Sequence, residues 1–172
     1  MMKFYKMDHS INKEDIQKFN FENQRIGVIV HIEDEDGRIL LQQRGVKSRD
    51  ENGLYEDVGG SVENSDVDFK SAIIREMQEE MGKDANIELL DSTGIYHCCK
   101  NNTNWIFVIF KGKYIDGDIN IMEPEKCMGY KFFTYEEAVN SSLVSKSCRF
   151  LINAINKYEK LGEINYEKII KN

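Results

Sequence analysis

The sequence predicts an α/β domain built as three layers, helices on both sides of a sheet. Three observations lead there. Segments rich in Val, Ile and aromatic residues recur on either side of one central helical stretch. That stretch, residues 67–82, repeats its apolar residues at helical spacing. The tail from Tyr135 onward reads as further helices.

The elements follow in chain order. Residues 1–24 read as a polar arm with a short helix after Ser10 or Asn12. Val28, Ile29 and Val30 predict a buried strand, and Ile39, Leu40 and Leu41 its antiparallel return. Between them Glu33-Asp34-Glu35-Asp36-Gly37 forms a turn, since Asp-Gly is a strong hairpin signal; its four acids are expected at a solvated tip. Residues 44–55 are polar and irregular, and Gly59-Gly60 is expected to make a turn within 56–64.

The central helix then places Ile73, Ile74, Met77 and Met81 on one side, with Gly82 as its C-cap. Strands are expected around 86–97, 104–115 and 128–134. In the terminal helices Phe150, Leu151, Ala154, Ile155 and Tyr158 make an apolar stripe.

The chain has 172 residues and a formal charge of -7. That length suggests one domain, residues 1–172, with 161–172 as a C-terminal extension. The charge is not spread evenly. Residues 50–88 hold twelve acids against three bases, Lys70, Arg75 and Lys83, while the remainder holds 18 acids and 20 bases. A pI near 5.1 argues against extended nucleic-acid binding, which needs a basic face. No stretch approaches the roughly 20 apolar residues that cross a bilayer, and the N-terminus lacks a signal-peptide core, so a cytoplasmic protein without membrane partners is expected. Cys98, Cys99, Cys127 and Cys148 form no CxxC pair, which argues against structural zinc and a disulfide framework. His9, His31 and His97 are isolated and are assigned no chemistry.

The acidic window contains the informative segment. At 100° per residue, Glu76, Glu79 and Glu80 fall within an arc of about 100° beside the apolar stripe. Like charges at i,i+3 and i,i+4 each cost a helix a few tenths of a kcal/mol. Arg75 can offset this by reaching Glu79, and so can a divalent cation, for which carboxylates are suitable hard ligands. The alternative is an ordinary solvated Glu-rich face. The preceding glycines would let backbone carbonyls approach a metal or phosphate.

The segment GGSVENSDVDFKSAIIREMQEEMG resembles the signature box of the Nudix hydrolases. Arg75, Glu76, Met77, Glu79, Glu80 and Gly82 stand in register with its more specific half. Asp66 stands where the family usually has Glu, and eight residues rather than seven separate it from Arg75. Val58 precedes the glycine pair where many members have proline. Farther along, Met122-Glu123-Pro124-Glu125-Lys126-Cys127 is similar to the EPEKC segment of Nudix nucleoside-triphosphate diphosphatases.

The resemblance implies a Nudix-like α/β/α sandwich with a mixed central sheet. It also implies Mg²⁺-dependent hydrolysis of a diphosphate linkage, with Mn²⁺ as a substitute ion. Glu76, Glu79, Glu80 and the Gly60 carbonyl would be metal ligands. Glu79 would be oriented by Arg75, and Glu76, Glu123 and Glu125 are rival general bases. Arg44, Lys47 and Arg49 are candidate phosphate contacts, Lys126 either meets phosphate or pairs with Glu123, and Trp105 either stacks on a base or packs in the core. The expected partner is a small nucleotide, foremost a nucleoside or deoxynucleoside triphosphate cleaved to monophosphate and diphosphate. ADP-ribose, dinucleoside polyphosphates and capped RNA stay open, as do a non-catalytic nucleotide-binding role and homodimerisation.

Overall fold

A computed structural model describes residues 1–161. Its strands are β1 (Met2–Lys6), β2 (Gln24–Glu33), β3 (Ile39–Arg44), β4 (Tyr55–Glu56), β5 (Val58–Ser61), β6 (Asn86–Lys100), β7 (Thr103–Asp116) and β8 (Cys127–Phe133). Its helices are α1 (Lys13–Gln17), α2 (Phe69–Met81), α3 (Tyr135–Asn140) and α4 (Lys146–Leu161). The sheet runs β1-β6-β7-β2-β3-β4, with β5 joined to β2 and β8 to β3. β2 and β7 are parallel, and the other pairs are antiparallel, so the sheet is mixed as expected.

Alternation along β2 divides the core. Val28, Val30 and Ile32 pack on one face with Phe69, Ala72, Ile73 and Met81 of α2. On the other face Ile29 packs with a cluster that includes Trp105, Ile109 and the α4 residues Leu151 and Ile155. A third cluster joins Ile39 and Leu41 to Ala138 of α3 and Ile152 of α4. These are the three expected layers, and the α4 stripe packs as its spacing suggested.

Several local expectations are corrected. Residues 1–24 do contain the short helix, capped by Asn12, but are no free arm. Residues 2–6 pair with β6, and Tyr5, Met7, Ile11, Ile16 and Phe19 enter the core. The polar residues between these apolar ones hid the pattern. Gly59-Gly60 is not a turn but the middle of β5, paired with Ile29 and Val28. A Cβ on Gly59 would lie 2.2 Å from the Val28 carbonyl oxygen, so glycine is needed for close strand approach. In the acidic turn, Asp34 is buried. Its carboxylate accepts from the Asp36 and Arg38 amides and from the Arg38 guanidinium, and so builds the turn. Ile74 lies outside the α2 stripe, 40% exposed, while Ala72 takes part in the core.

The C-terminal extension past Leu161 lies outside the described residues. Among the described residues no helix is long and apolar enough to cross a membrane.

The helix register has a direct stability consequence. Ile73→Ala should lower unfolding free energy by about 2–5 kcal/mol because it opens a buried cavity. Ile74→Ala should stay within about 1 kcal/mol. Urea unfolding of both variants checks the assignment; similar losses at the two positions would contradict it.

Candidate active site

The site begins where α2 lies over β5. A loop leads from Ser61 to Asp68, whose carboxylate caps α2 by accepting from the Ser71 amide at 2.7 Å. Within that loop a turn at 63–66 folds Asp66 back: the Asp66 amide donates to the Glu63 carbonyl at 3.0 Å, and the Glu63 amide donates to the Asp66 carboxylate at 2.8 Å. This turn accommodates the longer spacing before Arg75.

Arg75 is the hub. Its Nε and Nη2 donate to the two Asp66 oxygens at 2.9 and 2.8 Å, a bidentate fork. Nη2 also reaches the Ser61 carbonyl at 2.9 Å, and Nη1 reaches Glu76 at 2.9 Å and Glu79 at 3.3 Å. The expected Arg75–Glu79 contact is present, but it is the longest of these hydrogen bonds; Glu63 lies farther still, at 3.6 Å. Asp66 holds the hydrogen bonds that pull its own carboxyl below the usual range, Arg75 first among them.

The three glutamates differ. Glu79 is exposed. The Glu76 carboxylate rests on Gly60, where a Cβ would lie 2.4–2.5 Å from it; only glycine leaves that space. Burial raises the Glu76 pKa, partly countered by Arg75. Glu80 is deeper still. Burial pushes its pKa up to about 8, and the charges of Glu76 and Glu56 add to the rise. Its Oε2 is buried without a hydrogen-bond partner. Glu56, on β4, was missed in the sequence. It is a deeply placed acid raised by burial and held by Arg44. An acid next to an aromatic residue just before the glycine pair was the available signal.

These residues suit a hard divalent cation. The donors are oxygens, one buried carboxylate oxygen lacks a partner, and Gly60 leaves a cradle beneath Glu76. Among the described residues no three acidic, His or Cys side chains form a ready-made metal cage, so holding an ion here would require these carboxylates to draw closer together.

Two cavities meet beside this face, sharing Arg44, Arg49, Glu56 and Gly59. The polar one, about 310 Å³, takes in Lys47, Glu80, Glu123 and Lys126. The other, about 190 Å³, is walled by Tyr96, Trp105 and Phe107 and reaches Asp57 and Cys148. The candidate phosphate contacts are therefore brought together, although they already have partners. Lys126 pairs with Glu123 at 3.0 Å and Lys47 with Glu125 at 2.7 Å. Arg44 is bound by Asp50 at 2.8 Å and by Glu56, and Arg49 lies 3.9 Å from Asp50. Glu123 shares the polar cavity with Glu80; Glu125 does not line it. Trp105 is a buried wall residue, stacked on Phe107 at 5.2 Å, with the Arg25 guanidinium 4.9 Å from its ring.

Sequence reasoning also missed a buried polar group behind the aromatic wall. His31 sits between Glu33, at 3.0 Å, and Asp57, at 3.6 Å. Burial works against its charge, but these two acids outweigh that and raise its pKa to about 9. The Cys148 thiol donates to Asp57 at 3.4 Å. No spacing rule links positions 31, 57 and 148; only the sheet and α4 bring them together.

A family model described as the NUDIX domain matches residues 23–151. A CTP pyrophosphohydrolase of Escherichia coli (strain K12) is 44% identical over 62 residues, covering 36% of this chain and 44% of that protein. The chain's match thus spans less than half the length of that curated relative. A MutT protein from Methanosarcina mazei Go1 superposes with a TM-score of 0.66 at 21% identity, over 83% of this chain and 100% of that one. A MutT NUDIX hydrolase from Burkholderia pseudomallei gives 0.62 at 24% identity, over 77% and 98%. At these identities the structural likeness speaks for the fold.

The raised Glu80 pKa gives a signed prediction. Below pH 8 much of Glu80 is protonated, so a divalent cation entering this face must displace a proton. Ca²⁺ or Mn²⁺ affinity, measured by titration calorimetry, should therefore rise with pH, by at most about tenfold per unit for this group, and level off above about pH 8. Glu80→Gln should flatten that portion of the dependence. In the ion-free protein the linkage runs the opposite way: the stability that protonated Glu80 contributes is present at low pH and lost as pH rises toward 8.

Proposed function

From the premise that the chain belongs to the Nudix family, we propose that it is a Mg²⁺-dependent pyrophosphohydrolase of nucleoside or deoxynucleoside triphosphates, releasing a monophosphate and diphosphate. Mn²⁺ is the proposed substitute ion. The observation that carries this reading is the two-part cleft. Carboxylates and exposed cations line one end, aromatic rings line the other, and Arg44, Arg49, Glu56 and Gly59 join them. A polyphosphate and a base require those two environments in that order. The likeness to a CTP pyrophosphohydrolase over part of the chain supports a nucleoside triphosphate as substrate.

Glu76, Glu79, Glu80 and the Gly60 carbonyl would hold the metal. When bound there, a divalent ion neutralises phosphate charge, acidifies a water and stabilises the leaving oxygen. The protein's own groups supply the rest. Arg75 fixes Glu76 and Glu79 from behind and has no need to touch substrate. The Lys47–Glu125 and Lys126–Glu123 pairs are exposed, and such pairs are worth only about 0–1 kcal/mol. Substrate phosphates can therefore take over both lysines at little cost. Lys126 then leaves Glu123, which shares the cavity with Glu80 and becomes available to accept the proton of the attacking water. Glu76 is the competing base; Arg75 already occupies one of its oxygens. Arg44 serves better as a support for Glu56 and Asp50 than as a phosphate contact. Arg49, more exposed and at the junction of the two cavities, is the better placed arginine for phosphate.

The test is product identification from a panel with and without Mg²⁺: release of diphosphate from nucleoside triphosphates, and of phosphomonoesters or nucleoside phosphates from ADP-ribose, dinucleoside polyphosphates and capped RNA. Wild type should turn over triphosphates only with the metal, and Glu80→Gln should lose roughly 100-fold or more in kcat/KM. Absence of turnover across the panel would defeat the hydrolase reading, and unchanged turnover in Glu80→Gln would defeat the metal assignment. Glu123→Gln separates the bases: a loss of about 10²–10⁴ in kcat with metal affinity retained supports Glu123, while near-normal kcat transfers the role to Glu76.

A further inference from the structure

We propose that Asp57 reads the base edge and selects nucleotides whose base carries an exocyclic amine: cytosine, adenine or guanine over uracil, thymine or hypoxanthine. The inference rests on the hydrolase reading above and specifies which substrates that cleft prefers.

Asp57 lies between β4 and β5, 7% exposed, at the aromatic cavity. Three carboxylates line this cavity. Asp50 and Glu56 are both bound to Arg44. Among the described residues Asp57 forms no ion pair with Lys or Arg; its counter-charge is His31, 3.6 Å from Oδ1 and beyond good hydrogen-bonding distance. Its Oδ2 accepts only the Cys148 thiol, a weak donor. A carboxylate offers about four lone-pair positions, so acceptor capacity is left over. The Tyr96 hydroxyl, buried in the same cavity, has the Cys98 thiol and the Ser147 side chain as its polar neighbours but no well-formed hydrogen bond among the described residues. Buried polar atoms normally have partners, and two under-satisfied ones in one aromatic cavity mark a place where a ligand completes them.

The chemistry of the acceptor sets the choice. An ionised carboxylate can only accept. An exocyclic amine opposite it donates; the uracil, thymine or hypoxanthine carbonyl that replaces the cytosine or adenine amine sets acceptor against acceptor, and the C2 hydrogen of hypoxanthine leaves the carboxylate without the donor that the guanine 2-amine supplies. The Tyr96 hydroxyl can turn to donate or accept, so it serves a neighbouring base atom of either kind. The spacing also fits. Asp57 and Gly60 are three residues apart on an extended segment, about 10 Å, comparable to the span of a nucleotide from base edge to 5′ phosphate. Gly60 lies at the glutamate face.

Paired substrates test the idea. In kcat/KM with Mg²⁺, wild type should favour CTP over UTP, and ATP and GTP over ITP, by about tenfold or more wherever both members of a pair are accepted. Asp57→Asn keeps the shape but can present an amide donor, so the CTP/UTP ratio should fall toward one or invert. Each ratio is taken within one preparation and is unaffected by a change in the amount of folded enzyme. A wild-type CTP/UTP ratio near one, or a ratio unchanged by Asp57→Asn, overturns the proposal. Should the variant fail to fold, calorimetric binding of the α,β-methylene analogues of CTP and UTP to wild type decides: a Kd ratio of about tenfold or more supports selection, and equal Kd values overturn it. Discrimination in binding without turnover of any parent nucleotide would retain this proposal while removing the hydrolase reading.

Discussion

Five oxygens among the described residues accept hydrogen bonds from the guanidinium of Arg75: both of Asp66, one each of Glu76 and Glu79, and the Ser61 carbonyl; a Glu63 oxygen lies 3.6 Å away. Without that cation, the half-buried glutamates of α2 would repel one another and the loop before the helix would have no anchor. The planar fork matters as much as the charge, because a lysine could not bridge both Asp66 oxygens while reaching Ser61 and Glu76. Arg75 thus ties loop, strand and helix into one support, and it does so from behind the face a ligand would approach.

A second constraint is steric. Gly59 lets β5 lie against the Val28 carbonyl, and Gly60 makes room for the Glu76 carboxylate. The same short strand borders both cavities through Gly59. Its position lets helix carboxylates on one face of the sheet and an aromatic wall on the other address different parts of one molecule. The acidic excess of residues 50–88 is divided accordingly. Asp66 supports Arg75, Asp50 and Glu56 hold Arg44, Asp57 faces His31, and of the two deeper glutamates of α2 Glu76 has Arg75 at one oxygen while Glu80 pairs with no Lys or Arg among the described residues.

What was legible in the sequence was local. The α2 register apart from Ile74, its Gly82 cap, the hairpin at Gly37 and the α4 stripe follow from periods and turn chemistry acting over a few residues. The carboxylate face was legible for the same reason, since Glu76, Glu79 and Glu80 share one helix. The pairing of residues 2–6 with β6 and the His31–Asp57–Cys148 contacts were not legible, because they join residues dozens of positions apart. The Lys126–Glu123 pair, three residues apart, was within reach of the sequence, but the partners of Lys47 and Arg44 were hidden: a basic residue does not announce in sequence which distant carboxylate will meet it. Asp66 departs from the family pattern in residue type and spacing. In three dimensions the 63–66 turn returns it to Arg75.

The central claim is that the Gly60 cradle and the α2 carboxylates together make a divalent-cation site. Mn²⁺ titration followed by electron paramagnetic resonance of the free ion tests it most directly, comparing wild type with Gly60→Ala. The added methyl group would occupy the space of the Glu76 carboxylate while leaving the charge of the site unchanged. Mn²⁺ should bind wild type and bind a folded Gly60→Ala variant about tenfold or more weakly. Equal Mn²⁺ affinity in the two folded proteins, or no binding to wild type, would contradict the account.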